Sequence, residues 1–108
     1  AAGHNGANPH WSPSDYKIKS GDLVTIDFGV LYKGYCSDIT RTIAFGDVKE
    51  KELLKIYDIV LKANIEGVEK IKAGVPCFDV DKVSRDLITK EGYGDRFEHS
   101  LGHGLGID

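Results

Sequence analysis

Apolar and polar residues alternate in two segments that flank a short turn. Within residues 23–31 the apolar positions are the even ones, Val24, Ile26, Phe28 and Val30, and within residues 35–45 they are odd ones, Ile39, Ile43 and Phe45. This period of two predicts strands with one buried face each. Lys33 and Gly34 supply turn chemistry between the segments. We therefore expect a β-hairpin.

Two segments with helical spacing follow the hairpin. The first is predicted to start near Val48, after a capping box at residues 47–50, and to end at Gly74. The second is predicted to be capped by Asp79 and to stop at Gly92. Charges outside the apolar stripes are expected on solvated faces. With an extended loop over residues 1–21, which can include a short edge strand, this order of elements predicts a mixed α/β fold.

The composition narrows the class of protein. The 108 residues form one domain at most, and 41% hydrophobic with 29% charged residues is typical of a soluble globular protein. A net charge of −3 and a pI near 5.8 argue against nucleic acid as a partner. No apolar run approaches the roughly 20 residues that cross a membrane. Cys36 and Cys77 predict free thiols in a reducing cytosol, with one disulfide as the alternative.

Asp27 and Asp38 are the most unusual residues of the predicted hairpin, because strands are poor in aspartate. A two-residue loop at Lys33-Gly34 sets Asp27 opposite Thr40, with Asp38 as a diagonal neighbour. A four-residue loop sets the two aspartates directly opposite each other. In both registers they share one face, since side chains alternate along a strand. Two carboxylates at that separation can hold a pair of metal ions.

Other interpretations of the two aspartates stay open at this point. Asp27 can belong to an Asp-Phe-Gly turn, and Asp38 can cap a bend. Asp-Phe-Gly also occurs in protein kinases, but no glycine-rich loop, strand lysine or His-Arg-Asp loop accompanies it in this sequence. Cys36, expected on the same face, is a weaker candidate because carboxylates point to a harder ion than a thiolate prefers.

Two of the four histidines stand among glycines near the end of the chain. His99 and His103 would point to one side of an extended segment, and the glycines that flank His103 let a ligand or metal approach the backbone. A flexible Gly-His loop is the alternative. His10, next to Trp11, has the character of a surface histidine when it is taken by itself.

Taken together, these segments resemble one family. Asp27-Phe-Gly, Gly34-Tyr-Cys-Ser-Asp-Ile-Thr-Arg-Thr42 and His99-Ser-Leu-Gly-His-Gly-Leu-Gly106 are similar in order and spacing to the Xaa-Pro peptidases, prolidase (Xaa-Pro dipeptidase) and aminopeptidase P. Residues 5–10 also resemble the part of that family that carries its first active-site histidine. These enzymes are pita-bread metallopeptidases of family M24. The resemblance covers nearly the whole chain.

The resemblance implies a role for each candidate residue. Asp27 would chelate one metal, Asp38 would bridge two metals, and His103 would bind the second. His10 and His99 would position the scissile peptide or pass a proton to the departing proline nitrogen. The cofactors would be two divalent ions of manganese, cobalt, zinc or iron. They would activate a water that hydrolyses Xaa-Pro bonds in dipeptides or at the N-terminus of peptides.

The resemblance also implies the fold and the assembly. Residues 1–108 would form part of a catalytic pita-bread domain, with a curved antiparallel sheet and helices packed on one face. A proline-containing peptide substrate, a homodimer and a cytoplasmic location are expected, without nucleic acid or membrane. The family completes its site with two glutamates and a further histidine downstream of the Gly-His-Gly segment. The chain is therefore interpreted as a truncated fragment that hydrolyses nothing by itself.

Two rival functions stay open. Another pita-bread peptidase, such as methionine aminopeptidase, has a similar pattern around its second aspartate, although Tyr-Cys-Ser-Asp-Ile-Thr-Arg-Thr and Asn-Pro-His fit the proline-specific branch better. A non-catalytic pita-bread module that binds peptides is the second rival. Such modules typically lose metal ligands, whereas Asp27, Asp38 and His103 are all present.

Overall fold

The computed structural model describes residues 1–8 and 10–107. Its elements are a 3₁₀ helix at Gly3–Ala7, strands β1 (Asp22–Phe28), β2 (Leu31–Tyr32), β3 (Tyr35–Cys36) and β4 (Ile39–Phe45), helices α1 (Lys51–Lys70) and α2 (Cys77–Lys90), and a 3₁₀ helix at Gly94–Arg96. Pro9, within the predicted histidine-bearing segment, and Asp108, the end of the predicted fragment, lie outside the described residues. The predicted mixed α/β class is confirmed.

The chain divides into two compact units. The first comprises residues 1–8, 10–51 and 105–107, and it contains the hairpin. The second comprises residues 52–104 and contains nearly all of α1, the whole of α2 and the histidines near the end of the chain. Within the described ranges, no helix is both long and apolar enough to cross a membrane.

The register of the hairpin follows from its two-residue turn. β1 pairs antiparallel with β4, so that Asp27 lies opposite Thr40, and β2 pairs with β3 in the same register. The backbone φ angles of Lys33 and Gly34 are both positive, at 49° and 83°. Two positive φ values are the requirement of the type I′ turn, whose twist matches that of the strands. The two-residue register is therefore confirmed, and the four-residue register is wrong.

The hairpin is interrupted midway, where the sequence predicted continuous strands. At the interruption the Ser37 amide donates to the Val30 carbonyl at 2.9 Å, and the Val30 amide donates to Ser37 Oγ at 3.2 Å. A Cβ atom added to Gly29 would lie 2.0 Å from the Ser37 carbonyl oxygen. Only glycine at position 29 therefore permits these two backbone segments to approach this closely, immediately beside Asp38.

The apolar face of the hairpin is not buried as the sequence predicted. Phe28 is 55% exposed and Ile43 is 47% exposed. Ala2 forms an antiparallel bridge with Val24 and so extends the pairing at the edge of β1. A two-stranded sheet has no second layer of its own, and independent stability normally requires more strands or a covering helix.

Both helices begin somewhat differently from the prediction. α1 starts at Lys51, and Val48 is instead a buried residue that precedes the helix. α2 starts after Pro76, which makes no side-chain capping bond, and Asp79 lies within the first turn. Proline at a helix start already fixes a suitable φ angle, and an acidic residue in the first turn complements the helix dipole. The cap predicted at Asp79 is therefore wrong.

The ends of the helices follow the glycines approximately. α1 stops at Lys70, before Gly74, whose φ angle is 85°. After α2, Gly92 has a φ angle of 90° and its amide donates to the Thr89 carbonyl at 3.0 Å. Glycine at this position accepts the left-handed conformation that closes a helix. The stop predicted at Gly92 is confirmed.

The two helices meet at small residues. Ser84 is fully buried, and its hydroxyl donates to the Ala63 carbonyl of α1 at 2.7 Å. A Cβ atom added to Gly67 would lie 2.7 Å from Ser84 Oγ and 2.9 Å from Leu101 Cδ2. Ser84 cannot move easily, because its hydroxyl is buried and engaged. Gly67 therefore makes room for both the second helix and Leu101.

We expect the substitution Gly67→Ala to destabilise the full-length protein by about 1 kcal/mol in urea unfolding. Alanine gains about 0.8–1.0 kcal/mol in helix propensity, but overpacking a close contact costs about 1–3 kcal/mol. In a Ser84→Ala background, which lacks the nearest clashing atom, the same substitution should cost less than it does in the wild type. If Gly67→Ala stabilises the protein by itself, as at an open helical glycine, the close contact is refuted.

Candidate metal centre and histidine segment

The polar face of the hairpin is built from side chains that meet across β1 and β4. Thr40 Oγ1 donates to Asp27 Oδ1 at 2.7 Å, and the hydroxyl oxygens of Thr25 and Thr42 lie 3.2 Å apart. Asp27 is therefore held from the opposite strand, on the face that the register requires. An ionised carboxylate accepts about four hydrogen bonds, so the contact with Thr40 leaves Asp27 able to bind a cation.

Asp38 occupies the interruption and not a strand. It directly precedes β4 and is exposed, two positions before Thr40. Strict alternation holds only within a regular strand, so the pairing pattern does not determine the direction of this side chain. That Asp38 shares a face with Asp27 stays a prediction, although the diagonal placement of the two residues follows from the observed register.

The second candidate region is the histidine segment, which we define as residues 97–104. It is not helical, in agreement with its glycines. Nδ1 of His99 lies 2.8 Å from the Ser100 carbonyl oxygen, and Nδ1 of His103 lies 2.8 Å from the Gly104 carbonyl oxygen. When Nδ1 carries the proton and donates it to this carbonyl, Nε2 keeps the lone pair used in metal binding or proton transfer.

An ion pair on α2 binds the backbone of the histidine segment. Arg85 Nε donates to Asp81 Oδ2 at 2.7 Å, and Arg85 Nη2 donates to Asp81 Oδ1 at 3.1 Å. The same guanidinium donates to the carbonyls of Phe97 at 2.8 Å and His99 at 2.9 Å. Asp81 Oδ1 in turn accepts the amide of Leu101 at 2.8 Å. Three backbone groups of the segment are therefore bound by two side chains.

The sequence analysis did not identify Asp81 and Arg85 as functional residues. Charges outside the apolar stripes were expected on solvated faces, and Asp81 with Arg85 is such a pair. The available signal was an acid and a base four residues apart on a predicted helix, but Lys82 and Asp86 share that spacing and form an exposed pair. The spacing therefore does not distinguish a pair that binds a loop from one that only faces water.

The electrostatics of Asp81 agree with these contacts. The hydrogen bonds from Arg85 and from the Leu101 amide lower the pKa of the Asp81 carboxyl below its usual value. A lowered pKa keeps the carboxylate ionised throughout the neutral range. Its stabilising contribution is present above the unfolded pKa of about 3.9 and is lost as the pH falls through the folded-state pKa.

His10 lies in the first unit, apart in sequence from the other candidate histidines. It is exposed, and its backbone amide donates to Asn8 Oδ1 at 2.9 Å. This contact involves the backbone of His10 and not its ring, so the role of the imidazole stays a prediction.

The described residues provide the donor types of a metal site without showing an assembled one. In residues 1–8 and 10–107, no three His, Cys, Asp or Glu side chains form a group that could hold a metal ion. Asp27 and Asp38 belong to the first unit and His103 to the second. Carboxylate oxygens with an imidazole nitrogen nevertheless suit the divalent ions of manganese, cobalt, iron and zinc. Cys36 and Cys77 are free and exposed, as the sequence predicted.

Comparison with known proteins connects both regions to one family. The model of the metallopeptidase family M24 matches residues 1–108. An uncharacterized peptidase of Staphylococcus epidermidis is 51% identical over 106 residues, which cover 98% of this chain and 30% of that protein.

Solved structures give the same result. An Xaa-Pro dipeptidase from Bacillus anthracis is 52% identical, with a TM-score of 0.94 over 100% of this chain and 30% of that one. A prolidase from Pyrococcus furiosus is 50% identical, with a TM-score of 0.93 over 100% of this chain and 32% of that one. The chain spans about 30% of the length of the relatives it matches. It belongs to metallopeptidase family M24 and has the fold of the corresponding part of pita-bread prolidases.

Proposed function

We propose that the full-length protein hydrolyses the peptide bond that precedes proline, in dipeptides or at the N-terminus of short peptides. The observation that carries this proposal is the match of the whole chain to solved enzymes named Xaa-Pro dipeptidase and prolidase. The hairpin register adds support, because Thr40 holds Asp27 on the polar face, and Asp38 precedes Thr40 by two positions.

We further propose that Asp27, Asp38 and His103 bind divalent metal ions. When bound, such ions would supply an activated water and stabilise negative charge on the carbonyl oxygen under attack. Three ligands are too few for two metals, so the remaining ligands are expected in the part of the protein beyond this chain. The identity of the ions follows from availability as well as affinity.

The histidines are proposed to handle the substrate. The amide nitrogen of proline carries no hydrogen, so a site that recognises an N–H at the scissile bond would reject it. A cleft that accepts the pyrrolidine ring and delivers a proton to its nitrogen would hydrolyse the bond. We assign these tasks to His10 and His99. A homodimer in the cytoplasm is the expected state of the full-length enzyme, and the chain by itself is expected to be inactive.

The experiment compares substrates and metals with the full-length protein. After metal removal and reconstitution with manganese, cobalt, zinc or iron, cleavage of Ala-Pro should exceed cleavage of a Met-Ala peptide by at least about tenfold in kcat/KM, a difference of about 1.4 kcal/mol. Preference for Met-Ala would favour the methionine-aminopeptidase alternative. Failure to bind any divalent metal under saturating conditions would favour the peptide-binding module.

A further inference from the structure

Nearly all N–H donors of the Arg85 guanidinium are engaged in hydrogen bonds. Four of its N–H bonds are directed to acceptors: two to the carboxylate of Asp81 and one each to the carbonyls of Phe97 and His99. Arg85 also stacks on Phe97, with 4.5 Å between Cζ and the ring centroid. This use of a planar fork with several fixed donors is specific to arginine, because lysine carries a single point charge.

The contacts continue from Arg85 to the imidazole of His99. The ring of Phe97 meets the ring of His99 edge to face, with centroids 5.3 Å apart. The carbonyl of His99 itself is held by Arg85. Arg85 thus restrains the backbone of His99 directly, and it restrains the ring of His99 through Phe97.

The following turn of the segment is held at Leu101. Its amide donates to Asp81, and its side chain lies above Gly67, where a methyl group would come within 2.9 Å of Cδ2. Asp81 is the better shielded partner of the pair, with 20% of its side chain exposed against 37% for Arg85. These contacts determine where the chain stands two residues before His103.

We propose that Asp81 and Arg85 are positioning residues, which hold the histidine segment so that His99 can act on the substrate. The proposal rests on the proposed function for its catalytic consequence and on the hydrogen bonds for its structural part. The pair is not a catalytic group, since both residues act through the backbone of residues 97–101. Misplacing a reacting group by about 1 Å costs about 100-fold in rate, so losing these bonds should be visible in kinetics.

The test uses Arg85→Lys and Asp81→Asn in the full-length protein, each with and without His99→Ala. By itself, each substitution should lower kcat/KM for Ala-Pro by about 10- to 100-fold. In the His99→Ala background the further loss should be less than about threefold, because residues that act through one another are not additive. Lys82→Gln, which breaks the exposed ion pair on the same helix, should change kcat/KM by less than about threefold.

Equal losses in both backgrounds would show that the pair supports the fold without acting through His99, and this would overturn the proposal. Wild-type rates in Arg85→Lys and Asp81→Asn would overturn it as well. If Asp81→Asn does not fold, Arg85→Lys decides, because it keeps the positive charge and removes only the fork.

A structural readout separates this proposal from the proposed function. Hydrogen exchange at the Leu101 amide should accelerate at least about tenfold in Asp81→Asn and Arg85→Lys, because the acceptor at position 81 is then either uncharged or no longer fixed by the guanidinium fork, and the imidazole resonances of His99 should shift. Lys82→Gln should show neither change. If the wild type cleaves no peptide, the proposed function fails, and the exchange rates still decide whether the pair holds the segment.

Discussion

Replacing Asp38 by asparagine in the full-length protein is expected to lower kcat/KM for Ala-Pro by about a thousandfold or more. Metal ions contribute several kcal/mol to stabilising the transition state, and each 1.36 kcal/mol corresponds to a factor of ten. Asparagine matches aspartate in size but removes the negative charge. We therefore expect the bound divalent metal, measured by elemental analysis, to fall together with the activity.

Asp27→Asn should lower metal content and activity in the same way. It also distinguishes an effect on metal binding from an effect on the stability of the hairpin. The asparagine side chain still offers a carbonyl oxygen to Thr40, so the cross-strand hydrogen bond at 2.7 Å is preserved while the charge is lost. The unfolding midpoint should therefore change little in the metal-free protein.

Asp95→Asn provides the matched control, because this aspartate is 80% exposed in its side chain. It should retain both metal and activity. Full metal content in Asp27→Asn and Asp38→Asn would contradict the proposed ligands even if activity were lost.

Replacing Gly29 by alanine is expected to have the largest effect on stability, at about 3 kcal/mol. The added methyl group would stand 2.0 Å from a backbone oxygen of Ser37. Overpacking typically costs about 1–3 kcal/mol, and a backbone atom cannot rotate away as a side chain can. The clash could be relieved only if the two backbone segments moved apart, and this would break the Ser37–Val30 hydrogen bonds.

Urea unfolding of the full-length protein measures this loss. Gly6→Ala is the control, since a Cβ atom at Gly6 meets nothing within 4 Å. It should unfold within about 0.5 kcal/mol of the wild type, as surface substitutions usually do. A Gly29→Ala protein as stable as Gly6→Ala would show that the chains are not in close contact beside Asp38.

The hairpin illustrates how far local patterns determine structure. Alternating residues predicted the strands, and the two turn residues were compatible with the register that places Asp27 opposite Thr40. The interruption at Ser37 and Asp38 was not predicted, because it arises from hydrogen bonds between residues seven positions apart. The requirement for glycine at position 29 becomes apparent only when the opposite carbonyl is in place.

The histidine segment illustrates the limit of the same approach. Its glycines correctly predicted a non-helical segment, and the motif around His103 carried the resemblance to the family that the comparisons confirm. The attachment of the segment to α2 had no distinguishable signal, because Asp81–Arg85 and Lys82–Asp86 are both oppositely charged pairs four residues apart, and their opposite order says nothing about a loop. Only one of the two pairs faces the backbone of residues 97–101.

The sequence by itself determined the mixed α/β class, the hairpin, the two helices that follow it, and the family. These features depend on the period of apolar residues, on turn chemistry and on short motifs. The turn conformation at Lys33 and Gly34 set the hairpin register. Tertiary structure decided where Gly29 and Gly67 admit a close neighbour and which ion pair binds the histidine segment. The physical reason is range: hydrogen bonds and steric exclusion act over a few ångströms between residues that are distant in the chain, and a linear pattern does not contain those distances.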